Sequence, residues 1–244
     1  MGKRINVTTW NENEGRGEHD IYEEGMNAAV ANFLRASGEF GTVREASLPQ
    51  HEQGLPDEIL DETDVLIWWG HSKHKMVSEE LVNKIHRRVM DGMGFIPLHS
   101  AHASKIFKRL AGTDTSKLCW RDIGERERVW KVSPGHPIAE GIPAYFDIAQ
   151  SEMYGEYFNI PHPDEQIFIS WYEGGEVFRS GCVFYRGCGR VFYFSPGHET
   201  YRIFDVPEVQ KIIINAAKWA ADSRKPEIIP TGHCPEPPES AYKN

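Results

Sequence analysis

The chain has 244 residues, 40% of them hydrophobic and 26% charged, which suits one large soluble domain with a sizeable core. A core of that size needs neither disulfides nor a metal to stand, so any metal would serve function rather than folding. The net charge of -9 argues against a nucleic-acid partner, and the basic clusters at residues 86–88 and 121–128 read as solvated faces.

In chain order, residues 5–10 form an apolar run that reads as a first strand, followed by a polar loop carrying Glu12, Glu14, His19 and Asp20. Residues 22–36 carry Met26, Ala29, Val30, Phe33 and Leu34 at helical spacing, with Asp20 as the candidate cap and Ser37-Gly38 as the stop. Residues 42–48 read as a second strand and 55–60 as a short helix. Val65 to Trp69 is a buried strand that runs into Gly70, His71 and His74. Ser78 is placed to cap a helix reaching about Met90, with Leu81, Val82, Ile85, Val89 and Met90 inward. A strand over residues 95–98 leads into His99, Ser100 and His102, and Ser104 caps the next short helix. Strands alternating with helices imply a parallel sheet.

The middle changes character. Residues 128–132, 146–148, 166–171 and 176–185 are short β-like runs, with turns at residues 174–175 and 187–189. They predict an antiparallel extension. A strand over residues 191–194 leads into His198-Glu199, and an amphipathic helix over residues 206–220 closes the fold. Residues 1–222 form one domain in this reading, and residues 223–244 form an extended proline-containing arm. That arm leaves a homo-oligomer open.

No apolar stretch reaches the ~20 residues a bilayer requires. The N-terminus lacks the apolar segment of a signal peptide, so a cytoplasmic location is expected. Cys119, Cys182, Cys188 and Cys234 make no CxxC pair or disulfide framework. No G-x-G-x-x-G follows a strand and there is no P-loop, so no nucleotide cofactor is expected.

The chemistry lies in the histidines. In a parallel sheet, ligands bind beyond the carboxyl ends of the strands. His19, His71, His99 and His198 each follow an apolar run, so parallel strands would gather them on one rim. Imidazole binds a divalent metal, zinc first, or shuttles protons near neutral pH. His99, His198, Glu152 and Glu199 are the catalytic candidates; His99 is a metal ligand or a base, or else a buried histidine bonded to backbone. Ser100 becomes a nucleophile only if a histidine approaches it. Alternation puts Glu152 and Tyr154 on one side of a strand. A carboxylate and a phenol side by side would suit a metal or a sugar, and Tyr154, Trp69 and Ser100 are the candidate substrate contacts.

Trp10-Asn11-Glu12, the run from Val65 to His71, that from Gly92 to Ser100, His136-Pro137-Ile138, Glu152-Met153-Tyr154 and the run from Phe192 to Glu199 occur in that order. Together they resemble the ThuA-like, or trehalose-utilisation, proteins of the class I glutamine amidotransferase-like superfamily. The resemblance implies an α/β, three-layer flavodoxin-like parallel sheet. The amidotransferases place a cysteine at the elbow where this chain has Ser100. His198-Glu199 stands near their later His-Pro-Glu element without its proline. Glutamine hydrolysis is therefore not expected. The expected function is disaccharide or keto-sugar catabolism by metal-assisted acid–base chemistry on a small carbohydrate. The alternative is a non-catalytic sugar-binding or regulatory protein on a degenerate amidotransferase fold.

Overall fold

The computed structural model describes residues 4–12 and 21–222. His19, the Asp20 cap and the arm over residues 223–244 lie outside the described residues. One sheet of nine strands runs through the rest. In chain order the strands are β1 (Val7–Asn11), β2 (Val43–Ser47), β3 (Val65–Trp69), β4 (Gly94–Leu98), β5 (Cys119–Lys131), β6 (Tyr145–Gly155), β7 (Glu165–Tyr172), β8 (Val177–Arg186) and β9 (Gly189–Phe194). Their order across the sheet is β2-β1-β3-β4-β9-β8-β7-β5-β6. The pairs from β2 to β9 are parallel, and every pair from β9 to β6 is antiparallel.

The helices are α1 (Met26–Ser37), α2 (Asp57–Glu62), α3 (Glu79–Met90), α4 (Lys105–Ala111) and α5 (Pro207–Ala221). Strand β3 shows why its sequence has no polar alternation. Val65, Ile67 and Trp69 pack in one cluster with Val30 and Leu34 of α1 and Ile212 of α5. Leu66 and Trp68 pack in another with Leu81 and Ile85 of α3 and Phe107 of α4. A strand covered on both faces reads as a continuous apolar run. No described helix is long and apolar enough to cross a membrane.

Several boundaries differ from the sequence expectation. Helix α1 starts at Met26 rather than residue 22, behind Gly25, which provides no side-chain cap. Ser78 and Ser104 cap α3 and α4 as expected, accepting from the backbone N–H of Leu81 and Phe107. Met90 is exposed rather than inward. The largest difference is β5, which begins at Cys119 instead of residue 128. Its buried positions Glu125 and Glu127 are acidic, so the alternation that marks a strand is hidden. Arg121 pairs with Glu125, and the hydroxyls of Ser151 and Ser170 donate to Glu127 at 2.7 and 2.5 Å.

Gly94 lets β4 pass directly beneath α5. A Cβ there would lie 2.7 Å from Ala220 Cβ and 2.8 Å from its carbonyl oxygen. The backbone of Ala220 cannot swing aside as a long side chain can. Gly94→Ala should therefore cost about 1–3 kcal/mol of stability by overpacking, measured by urea unfolding; an unchanged midpoint would contradict this packing.

His102 sits buried in the turn between β4 and α4, its Nδ1 3.1 Å from the Thr115 carbonyl. Burial pushes its pKa down to about 3, against the opposing pull of that carbonyl. The unfolded chain takes up this proton below about pH 6.5, whereas the folded chain refuses it until much lower pH. Stability from this residue is thus present above pH 6.5 and falls as the pH drops towards 3. His102→Asn should flatten the slope of unfolding free energy between about pH 4.5 and 5.5 by about 1.4 kcal/mol per pH unit, the value for one proton. An unaltered slope would show that His102 is not held neutral.

Candidate functional site

The carboxyl ends of the parallel strands form one rim. Strand β4 delivers His99, β9 leads through Ser195 to His198 and Glu199, β3 leads to His71, and β1 ends beside Glu12. His99 adopts the left-handed backbone region, with φ of 50°. That conformation costs a non-glycine residue about 1–3 kcal/mol and persists only where its surroundings hold it. Here the His99 Nδ1–H donates to the Ser195 carbonyl at 2.7 Å, and the Tyr193 hydroxyl donates to the His99 carbonyl at 3.2 Å. Gly197 allows the β9 loop to approach, because a Cβ there would lie 3.3 Å from His99 Cβ and 3.1 Å from Phe204.

The antiparallel half supplies Glu152 and Tyr154. Register shifts in β5 on either side of Glu125 interrupt its pairing with β6, and such irregularities bend strands. Glu152 on β6 meets His99, with Oε2 2.9 Å from Nε2. His198 Nε2 lies 3.8 Å from the same oxygen. The donor atoms of His99, Glu152 and His198 all fall within 4.8 Å of one another, and all three residues are buried. Tyr154 stacks on the His99 ring with centroids 4.9 Å apart, and its hydroxyl is 3.3 Å from His99 Nε2.

The three groups differ in charge. Burial pulls the His99 imidazole down, but the hydrogen bond and charge of Glu152, with the Ser195 carbonyl, raise it by more, leaving its pKa above the ordinary value. Burial raises Glu152, yet His99 outweighs that and holds the carboxyl below the usual range. Both shifts favour the charged forms, and protonated His99 forms an ion pair with Glu152. Burial and the neighbouring His99 keep the His198 pKa low, so it stays neutral. The Thr200 backbone N–H points at His198 Nδ1 from 3.2 Å and favours the proton on Nε2; the Thr200 hydroxyl, 2.8 Å away, can instead accept a proton from Nδ1.

A cavity of about 520 Å³ opens over this cluster, lined among others by His71, Ser100, Trp120, Asp122, Thr200 and Glu199. His71 does not join the donor group of His99 and His198; its Nδ1 faces Ser100 Oγ at 3.2 Å and its Nε2 faces Glu199 Oε1 at 3.3 Å. Glu12 fixes the loop beneath it by accepting from the backbone N–H groups of Ser72 and Lys73. Trp69 is turned into the core and offers no open face to a sugar; its indole N–H donates to the Gly197 carbonyl at 2.9 Å and so braces the loop of His198.

Trp120 and Asp122 were not singled out from the sequence. Trp120 is 65% exposed at the cavity and pairs in register with Tyr154. Asp122 Oδ2 lies 3.8 Å from His198 Nε2. Both belong to the part of β5 whose acidic inward positions conceal the strand. No spacing pattern marks either residue, because residues 119–124 show no alternation of burial.

A family model described as trehalose utilisation, ThuA, matches residues 6–220. No curated protein matches the chain. Solved structures are similar in fold at low identity. A protein from Parabacteroides merdae described as ThuA-like is 15% identical with a TM-score of 0.69, covering 90% of this chain and 91% of its own. One of the same description from Bacteroides uniformis is 16% identical with a TM-score of 0.66, covering 89% of this chain and 91% of its own. A protein described as cytoplasmic from Salmonella typhimurium is 16% identical with a TM-score of 0.55, covering 88% of this chain and 98% of its own. With the family model spanning nearly its whole length, this chain belongs to the ThuA, or trehalose-utilisation, family.

Proposed function

We propose that this chain acts in disaccharide or keto-sugar catabolism, as an enzyme that uses metal-assisted acid–base chemistry at His99, Glu152 and His198. The observation that carries this reading is the convergence of two imidazoles and a carboxylate within 4.8 Å at the floor of a rim cavity. The family description supplies the substrate class, since trehalose is a disaccharide.

The donor set fits a divalent ion, zinc first. Two histidines and a carboxylate are a common catalytic zinc set, and the outer nitrogen of such a histidine usually donates to a carbonyl or carboxylate. His99 Nδ1 does so with Ser195. In addition, Glu199 Oε2 is buried without a hydrogen-bond partner and lies 3.8 Å from His198 Nε2, so the negative charge beside the cluster is under-compensated. His99, His198 and Glu152 would hold the ion, and His71 would not. Such an ion polarises a carbonyl or activates a water.

The remaining chemistry belongs to the protein. Trp120 presents an aromatic face on which a sugar can stack. Glu199 lies between His71 and His198 and is placed to move a proton along that wall. Tyr154 burial keeps its phenol protonated far above neutral pH, so it acts as a donor beside His99. The same proposal reads residues 1–222 as one domain and the parallel half as flavodoxin-like and three-layered. The order β2-β1-β3-β4-β9 supports that reading, as do the clusters on the two sides of β3. A cytoplasmic location belongs to it too, as described for the Salmonella neighbour.

Protein purified without chelator should carry about one zinc per chain by elemental analysis. It should turn over trehalose or a keto derivative of it, and His99→Ala should lose the metal and about 100-fold of the rate, because the ion is no longer held. Metal at saturation should raise the melting temperature, by about 2.7 kcal/mol of stability at 100 times its dissociation constant. Sugar binding that survives chelation and His99→Ala, with no turnover, would contradict the enzyme reading and favour a binding protein.

A further inference from the structure

One wall of the cavity carries a chain of contacts that the metal-donor cluster does not use. Ser100 follows His99 in the turn after β4 and is 6% exposed. Its Oγ lies 3.2 Å from His71 Nδ1, and His71 Nε2 lies 3.3 Å from Glu199 Oε1. A carboxylate accepts hydrogen bonds and does not donate them, so it keeps the proton of a neutral His71 on Nε2. In that tautomer Nδ1 is bare and can accept from the Ser100 hydroxyl.

The base is held in place. Glu12 is buried and accepts from the two backbone N–H groups that follow His71, those of Ser72 and Lys73. The His71 ring lies nearly parallel to that of Trp69, with an interplanar angle of 14°. A hydroxyl, an imidazole and a carboxylate in series are what a serine nucleophile requires, and such sets are recognised by geometry rather than by chain order.

We propose that Ser100, His71 and Glu199 form a nucleophile relay that cleaves carboxylic esters of polyhydroxylic alcohols through an acyl-Ser100 intermediate. Ser100 Oγ bonds to the ester carbonyl carbon while its proton passes to His71 Nδ1. The bond from that carbon to the alcohol oxygen breaks, and His71 returns the proton to the departing alcohol. A water then attacks the acyl group and gives its proton to His71. The acyl–Oγ bond breaks and Ser100 recovers its proton. Ester and water become acid and alcohol, with no change of oxidation state and no further reactant.

An ester fits this relay better than a glycosidic bond, because glycosidases attack their acetal carbon with a carboxylate or an activated water. The cavity walls divide accordingly. Leu118 and Ala103 offer an apolar side for an acyl chain, while Asp122, Glu152 and Thr200 offer hydrogen bonds to hydroxyl groups. That the alcohol is a sugar rests on the function proposed above; the serine chemistry does not. Glu199 is a positioning residue that acts through His71.

A fluorophosphonate probe tests the relay directly on the full chain. Peptide mass spectrometry should find the adduct on Ser100, absent in Ser100→Ala. His71→Gln should slow labelling about 100-fold or more, in line with loss of a general base. Glu199→Gln should lower the maximal labelling rate while leaving the half-saturating probe concentration unchanged, a split that a merely structural role would not give. 4-Nitrophenyl acetate should give a burst of nitrophenolate in the wild type only. Labelling of Ser100 that survives chelation supports the relay even if the metal reading fails. Wild-type protein that takes no label on Ser100, or labels no faster than His71→Gln, overturns the relay even if zinc is bound.

Discussion

The site depends on one buried imidazole. His99 is held in a left-handed backbone conformation at the end of β4, with one ring nitrogen committed to Ser195 and the other to Glu152. Those two bonds join three parts of the sheet: strand β4 of its parallel half, the loop after β9 and strand β6 of its antiparallel half. Removing one partner of a buried ion pair typically costs about 3–5 kcal/mol, because the other charge is left uncompensated. His198 and Tyr154 both pack against the His99 ring, with centroids 5.3 and 4.9 Å away, and Ser100 follows it in the chain.

The two halves of the sheet contribute different chemistry. The parallel half provides the nitrogen donors, because β3, β4 and β9 end together and lead into His71, His99 and His198. The antiparallel half provides carboxylates and aromatic surface from within strands, where alternation sends Glu152 and Tyr154 to the same side. The outcome is a cavity whose floor holds an ionised His99–Glu152 pair beside a neutral His198. Its wall carries Ser100, His71 and Glu199. Glu199 touches both arrangements, with one oxygen towards His71 and the other towards His198. The two sets of groups can therefore serve one bound molecule or act apart.

Much of the parallel half was legible in the sequence. Val65 to Trp69 reads as a doubly buried strand, and parallel strands bring the residues after their ends to one rim. The meeting of His99 with His198 follows from that rule alone. The contact of His99 with Glu152 does not, since it depends on the register of β5 against β6 and on the irregularity around Glu125. Strand β5 itself was half hidden because its inward positions are Glu125 and Glu127, satisfied by Arg121 and by serine hydroxyls rather than by apolar packing. Trp69 was misplaced for a related reason. In a strand buried on both faces, sequence does not tell which side an aromatic ring takes, and this one faces the core. The approach of His71 to Ser100 depends on Glu12, whose carboxylate folds the loop after β3, and no spacing pattern announces that bond.

The proposed ion-binding centre of His99, Glu152 and His198 is tested most directly by a crystal structure of zinc-soaked protein with anomalous data collected on both sides of the zinc edge. A single strong peak bonded to His99 Nε2, His198 Nε2 and a Glu152 oxygen is expected. An empty cluster at saturating zinc, with Glu152 still hydrogen-bonded directly to His99, would contradict it.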